Sequence, residues 1–268
     1  MEGEKEMPVN DALGTRMKTF YEQVPKTRLM RRTPVAIRID GKAFHTFTRG
    51  FDKPFDMVLV RSMQRTTKYL CENIQGCVFG YTQSDEITLV LCDYQTLNTS
   101  AWFEYQVQKM CSVAASMCTM YFNKNFRYWV DHFKSTMTDT ASNRKYLEVL
   151  QNKLDKAMFD ARCFNIPKEE VTNCVLWRQN DATRNSIQSV GQFYFSHKEL
   201  QNKTCDEIQE MLFTEKGLNW NNLETNLKRG TAVVKRYKMD SNGWEIDREM
   251  PILKGEDREY IENLINFE

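Results

Sequence analysis

Hydrophobic positions fall into two rhythms along this chain. In "NDALGTRMKTFYEQV", Leu13, Met17, Phe20 and Tyr21 recur at helical spacing and share one face. Pro34 opens "VAIRI", a short apolar run of strand type. "FDKPFDMVLVRSMQRTTKYLCENI" reads as a loop followed by a helix. Its expected N-cap is Asp56, and its stripe is Leu59, Met63, Leu70 and Ile74, with Val60 and Thr67 beside it. "CVFGYT" and "ITLVL", joined by "QSDE", read as two strands of a hairpin. Helical spacing returns in "SAWFEYQVQKMCSVAASMCTMYF", where the small residues Ala114, Ala115 and Ser116 suit close packing on a sheet. A polar stretch from Thr136 to Lys156 is expected to hold a helix from Arg144, and "AMFDARCF" at 157–164 is a further strand.

Beyond that strand the pattern becomes mostly helical. "NIPKEEVTNCVLWRQNDATRNSIQ" has Pro167 near the first helical position, where its missing N–H costs nothing. Asp206 to Phe213 predicts a short helix. "GTAVVKRYKMDSNGWEIDREM" predicts a hairpin turning at "SNG". Residues 1–8 lack periodicity and read as a frayed end. The front half therefore runs β-α-β-β-α-β, a split βαβ or ferredoxin-like order, and the fold class is α+β. Two regions are expected: 10–167 as the catalytic region, and 168–268 as a helical and hairpin extension packed on it.

Composition narrows the function classes only a little. The chain has 268 residues, enough for a sizeable core, and a formal charge of +1 from 37 basic and 36 acidic side chains. That balance neither demands nor excludes nucleic acid, because local patches matter more than the sum. Eight cysteines without a C-x-x-C pair, beside only three histidines, argue against structural zinc. They read as free thiols of a cytoplasmic protein. No apolar run approaches the ~20 residues that span a bilayer.

The chemistry concentrates where carboxylates meet apolar runs. Asp40 ends the first strand, and Asp85 with Glu86 lies between the hairpin strands. The split βαβ order brings those ends side by side. Converging carboxylates need protons, basic side chains or a hard cation such as Mg²⁺ to neutralise them. Gly41 allows a close backbone approach, so the amides of residues 41–45 could form an anion-binding nest. Lys42, His45 and Lys53 add donors nearby, and Ser84 adds a hydroxyl.

The ordered set "RIDGKAFHTFTRGFDKPFD", "GYTQSDEITLVL", "FDARCFNIP", "EEVTNCVLWRQNDATRNSI" and "LKRGTAVV" resembles tRNA-His guanylyltransferase and its guanylyltransferase-like relatives, over residues 12 to 240. The resemblance implies a polymerase palm-like sheet and nucleotide addition to the 5′ end of tRNA in the 3′-to-5′ direction. ATP or GTP first activates the 5′ end; the 3′-hydroxyl of an incoming nucleoside triphosphate then attacks it. The resemblance further implies two Mg²⁺ ions, held by Asp40, Asp85 and the Gly41 carbonyl, with Glu86 as third carboxylate. Gly41, Lys42, Ala43, Phe44 and His45 would hold a triphosphate through their amides, Ser84 would touch nucleotide, and Lys53 and Lys109 would reach phosphates. A homotetramer is typical of the family. Dedicated histidine-tRNA enzymes carry His-Ile-Asn-Asn after Trp-Arg-Gln; here "DATRNSIQ" keeps only Asn185 of it. That departure points to the guanylyltransferase-like branch and to repair of 5′-truncated tRNAs.

Other positions read two ways. Lys26, Arg28, Arg31 and Arg32 form a basic run, and Lys228, Arg229, Lys235, Arg236 and Lys238 a second; either would suit tRNA phosphates or a solvated face. Arg178 is a candidate for RNA contact, whereas Trp177 reads as core and His132 and His197 as structural. Two rival functions remain: a palm-type nucleotide cyclase, and a tRNA-binding module without turnover.

Overall fold

The computed structural model describes residues 11–238 and 241–267. In chain order the elements are α1 Ala12–Met17, β1 Val35–Gly41, α2 Phe44–Phe47, α3 Met57–Asn73, β2 Cys77–Gln83, β3 Glu86–Leu91, α4 Val107–Thr136, α5 Ala141–Gln151 and β4 Phe159–Asn165. Then follow α6 Lys168–Tyr194, α7 His197–Leu200, α8 Cys205–Lys216, α9 Thr225–Arg229, β5 Thr231–Lys238, β6 Ser241–Asp247 and α10 Glu259–Ile265. Six strands form one sheet in the order β4-β1-β3-β2-β5-β6, and every neighbouring pair is antiparallel. Strands β1 to β4 with α3 and α4 realise the β-α-β-β-α-β order, with β1 between β4 and β3. Strands β5 and β6 continue this same sheet beyond β2, so residues 231–238 and 241–247 share a hydrogen-bonded layer with β1.

Strand alternation sorts side chains onto two faces. Val35, Ile37 and Ile39 of β1, with Ile87, Leu89 and Leu91 of β3, are buried in the larger core with α3 and α4. Ala36 and Val90 turn to the opposite face, into a core shared with Val171 and Val175 of α6 and Ile261 of α10. A third cluster joins Ile187 and Val190 of α6 to Ile208 and Leu212 of α8.

Several local expectations are corrected. The second long helix begins only at Val107, after a short turn at Trp102–Tyr105 that carries left-handed backbone at Phe103 and Glu104. It then runs to Thr136, because Phe122, Phe126 and Val130 keep the buried period going. Of its small residues only Ala114 is buried, and Ser116 is exposed. Helix α5 starts at Ala141, not Arg144, because the Thr140 hydroxyl accepts the Asn143 N–H at 3.1 Å. Pro167 does stand next to the first helical position, as the N-cap of α6. "SNG" lies on β6, where Asn242 pairs with Tyr237 and Gly243 with Arg236; the turn itself falls outside the described residues. Residues 1–8 also lie outside them. Leu13, Met17, Phe20 and Tyr21 do share a helical segment, but all four are exposed.

Asp56 anchors α3 and the loop before it. One carboxylate oxygen accepts the Leu59 N–H at 2.9 Å; the other accepts the Tyr146 hydroxyl at 2.6 Å and the Asp52 N–H at 3.1 Å. Asp56→Ala removes a helix cap and leaves a part-buried phenol unpaired. It is expected to cost about 2 kcal/mol, read as a lower urea midpoint at unchanged m-value.

Candidate active site

Antiparallel register lines up acids across three strands. Asp40 lies opposite Glu86 on β3 and opposite Asp160 on β4. Like charges placed directly across a ladder repel. The row is compensated unevenly. Asp160 holds Arg162 at 3.1 Å, and Glu86 is taken by Arg178 and, at 3.4 Å, by Arg38. Among the described residues Asp40 has just the same Arg162 nitrogen, at the longer distance of 4.0 Å. Asp85 sits in the β2–β3 turn, and its carboxylate accepts the neighbouring Ser84 hydroxyl at 2.9 Å. Burial pushes the Asp85 carboxyl above the usual carboxylate range; the Ser84 bond offsets part of this, while Asp40 and Glu86 add to it. The Asp85 carbonyl accepts the Gly41 N–H at 3.2 Å and so ties the turn to the end of β1.

The sequence-predicted phosphate loop follows directly. Gly41 is required by packing: a Cβ there would meet the Phe44 ring at 2.2 Å. The left-handed residue is Ala43, with φ 54°, at the start of α2. Phe44 is buried against Phe47, Phe122 and Phe159 and fixes the loop from beneath. Two of the five expected amides are taken up by the fold, Gly41 on Asp85 and Lys42 on the Met158 carbonyl at 2.8 Å. The amides of 43–45 find no acceptor among the described residues. Lys42 and His45 are exposed beside them. A cavity of about 200 Å³ opens beyond this loop, from Thr48 onward, lined by Asp52, Lys53, Ser84, Asn185, Ser189 and Asn226 among others; residues 40–45 are not in its lining. Three expected positions, Lys53, Ser84 and Asn185, thus meet in one cavity. Burial, with Asp56 nearby, raises the Asp52 carboxyl.

Other expected positions lie elsewhere or are already engaged. Among the described residues no three Asp, Glu, His or Cys side chains are grouped as a metal cage. Glu86 faces guanidinium groups and not an open acidic set. Lys109 stands over the Phe103 ring at 4.6 Å, near the start of α4. The Phe159 N–H, at the level of Gly41, bonds Thr119 ten residues further on, which puts Lys109 about 15 Å away along the helix. In the first basic run, Arg28 pairs with Glu104 at 2.9 Å, and Arg31 with Asp93. Arg32 donates to the Thr96 and Leu97 carbonyls. These side chains clamp a loop of the fold. In the second run, Lys228 is buried, bonds the Asn221 carbonyl and has its pKa lowered by burial and by Arg229. The Arg229 carbonyl accepts the Tyr81 hydroxyl at 2.7 Å. Arg236 is held by Asp247 at 2.6 Å. Trp177 is not core: it is 52% exposed, with Arg38 and Arg178 within about 5 Å of its ring.

Sequence reasoning passed over Asp160, Arg162 and Arg38. The period of two gives Arg38 the same face as Asp40, which was a usable signal. Asp160 and Arg162 required the β1–β4 register, which no local pattern supplies. Gln64 and Asn226 carry no motif, and Asp52 lies within a quoted motif without having been singled out.

Comparisons with known proteins identify the family. Residues 14–167 match the family model described as tRNAHis guanylyltransferase. A bacterial tRNA(His) guanylyltransferase-like protein solved in complex with ATP superposes with TM-score 0.80 at 39% identity, covering 96% of this chain and all of that one. A second such structure, in complex with GTP, gives 0.72 at 37%, covering 95% and 99%. Among curated relatives, the probable tRNA(His) guanylyltransferase of Dictyostelium discoideum is 26% identical over 88% of this chain and 86% of its own. With the family model spanning more than half of its length, this chain belongs to the tRNA(His) guanylyltransferase family of nucleotidyltransferases.

Proposed function

We propose that this protein is a Mg²⁺-dependent 3′-to-5′ nucleotidyltransferase, with a polymerase palm-like sheet, that rebuilds 5′-truncated tRNAs. The carrying observation is the uneven neutralisation of the acids. Glu86 and Asp160 have guanidinium partners at hydrogen-bond distance, whereas Asp40 and Asp85 do not. Asp40, Asp85 and the Gly41 carbonyl offer hard oxygen donors, which fit Mg²⁺. That ion is ordinarily held by one or two carboxylates together with substrate phosphates, so these two carboxylates are sufficient in number. When bound, Mg²⁺ supplies Lewis-acid stabilisation of charge on phosphoryl oxygens.

The chain's own groups do the positioning. The amides of 43–45, which have no acceptor among the described residues, suit a triphosphate. Lys53, Ser84 and Asn185 line the cavity beyond them, which suits a nucleotide. ATP- and GTP-bound similar structures support triphosphates as substrates. In the first step the 5′-phosphate of the RNA displaces pyrophosphate from ATP or GTP. In the second, the 3′-hydroxyl of an incoming triphosphate forms a P–O bond to that phosphate and releases the nucleoside monophosphate. The similarity to bacterial guanylyltransferase-like proteins, together with "DATRNSIQ", favours general 5′-end repair over a histidine-tRNA-only enzyme. Arg184 of that segment pairs with Asp181 and so remains within α6.

Arg178 is a positioning residue. It is 4% exposed and bridges Glu86 to Asp181, the latter at 2.8 Å. It thereby neutralises Glu86 beside Asp40 and ties α6 to the sheet.

Two outcomes are expected. Asp40→Ala and Asp85→Asn each lower 5′ extension of a truncated tRNA by about a thousandfold, measured with labelled triphosphate, while tRNA binding persists. EDTA abolishes extension and Mg²⁺ restores it. Undiminished extension by Asp40→Ala would overturn the assignment, and a cyclic nucleotide formed without RNA would favour a cyclase. Separately, Arg178→Met leaves Glu86 with Arg38 alone, at 3.4 Å, and costs about 3 kcal/mol in urea unfolding. Adding Glu86→Gln recovers part of that loss, a coupling that a double-mutant cycle reads directly.

A further inference from the structure

A second pocket, of about 360 Å³, lies on the outer side of α3, between that helix, α4 and β6. Its walls carry three arginines, Arg61, Arg65 and Arg248, against one carboxylate, Glu224. Arg61 and Arg65 stand one turn apart on α3, and both guanidinium groups lie over the same indole, Trp129, at 4.9 and 5.0 Å from its centre. Arg65 also covers Tyr128 at 5.0 Å. Arg248 donates to the Gln64 amide oxygen at 3.1 Å, which holds it at the same pocket.

These arginines differ from most others in the chain. Arg28, Arg31, Arg127, Arg144, Arg184 and Arg258 each hold a carboxylate. Arg61, Arg65 and Arg248 have no carboxylate partner at ion-pair distance among the described residues, although all three are exposed and long enough to reach one. Three like charges are gathered and held by aromatic faces and an amide alone. Guanidinium forks on a flat aromatic support match the oxygens of a phosphate group.

The pocket adjoins the candidate active site. Gln64 and Asn226 line both this pocket and the cavity that contains Lys53, Ser84 and Asn185. A chain of phosphates leaving that cavity would pass Gln64 and Asn226 and reach the arginines. We propose that Arg61, Arg65 and Arg248 bind backbone phosphates of the RNA substrate outside the reacting centre. This deepens the reading above and rests on it for the identity of the ligand as RNA.

The test uses the full-length protein, a 5′-truncated tRNA transcript and ATP, with binding measured apart from turnover. Arg61→Gln/Arg65→Gln should weaken tRNA binding about tenfold near physiological salt and flatten the slope of log affinity against log salt by between about 1 and 2. Its affinity for ATP alone and its thermal midpoint should stay at wild-type values, since both side chains are exposed. Arg61→Lys/Arg65→Lys, which keeps the charge and loses the fork, should fall between the two. Unchanged tRNA affinity and salt slope in the Gln pair would overturn the proposal. So would weakened ATP binding with normal tRNA binding, which would give the pocket to a free polyphosphate. If the wild type binds tRNA but does not extend it, the functional reading fails while a weaker Gln pair still upholds this site. Failure of the wild type to bind tRNA would overturn both.

Discussion

Repulsion between carboxylates that the sheet cannot move apart governs this protein. Ile37 and Ile39 must face the helices α3 and α4, so Arg38 and Asp40 must face the other way. The same parity on β3 and β4 turns Glu86 and Asp160 to Asp40's flanks. A slip of one residue would expose the isoleucines, so burial of the core keeps the acids in line. Arginines on β1, β4 and α6 absorb most of that charge. What remains, at Asp40 and in the tied-down turn at Asp85, are two carboxylates with no guanidinium at hydrogen-bond distance among the described residues. The placement of α6 over the sheet is part of the same device, because it delivers Arg178 to Glu86 and leaves Asp40 open.

The fold was legible wherever burial is periodic and local. The apolar runs of β1 to β3 and the stripe of α3 identified the split βαβ order, and Asp56 marked its helix start. Candidate chemistry was legible where a motif is contiguous, as in the run from Asp40 to His45 and at Ser84–Glu86. Pairings far apart in sequence were not. Glu86 meets Arg178 across 92 positions, and Asp160 joins the row only through register. Basic runs were the poorest guide. Arg28, Arg31 and Arg32 look like an RNA-facing patch when written in a line, yet each finds an acceptor between residues 93 and 104. Arg61 and Arg65 sat unremarked inside a helix stripe, because their lack of partners is a property of three dimensions. Lys109 failed for a simpler reason: helix length carries it to the far end of the sheet.

The pairing of β2 with β5 sets a schedule for biosynthesis. Phe79 to Thr82 receive their outer partners from residues 231–234, about 150 positions downstream. Until those residues emerge from the ribosome, one flank of β2 presents bare amides and carbonyls along an apolar strand. Such a flank can recruit any passing strand, including that of a neighbouring nascent chain. Chaperone demand in the cell should therefore concentrate in that interval of translation, and end when the last third of the polypeptide closes the seam.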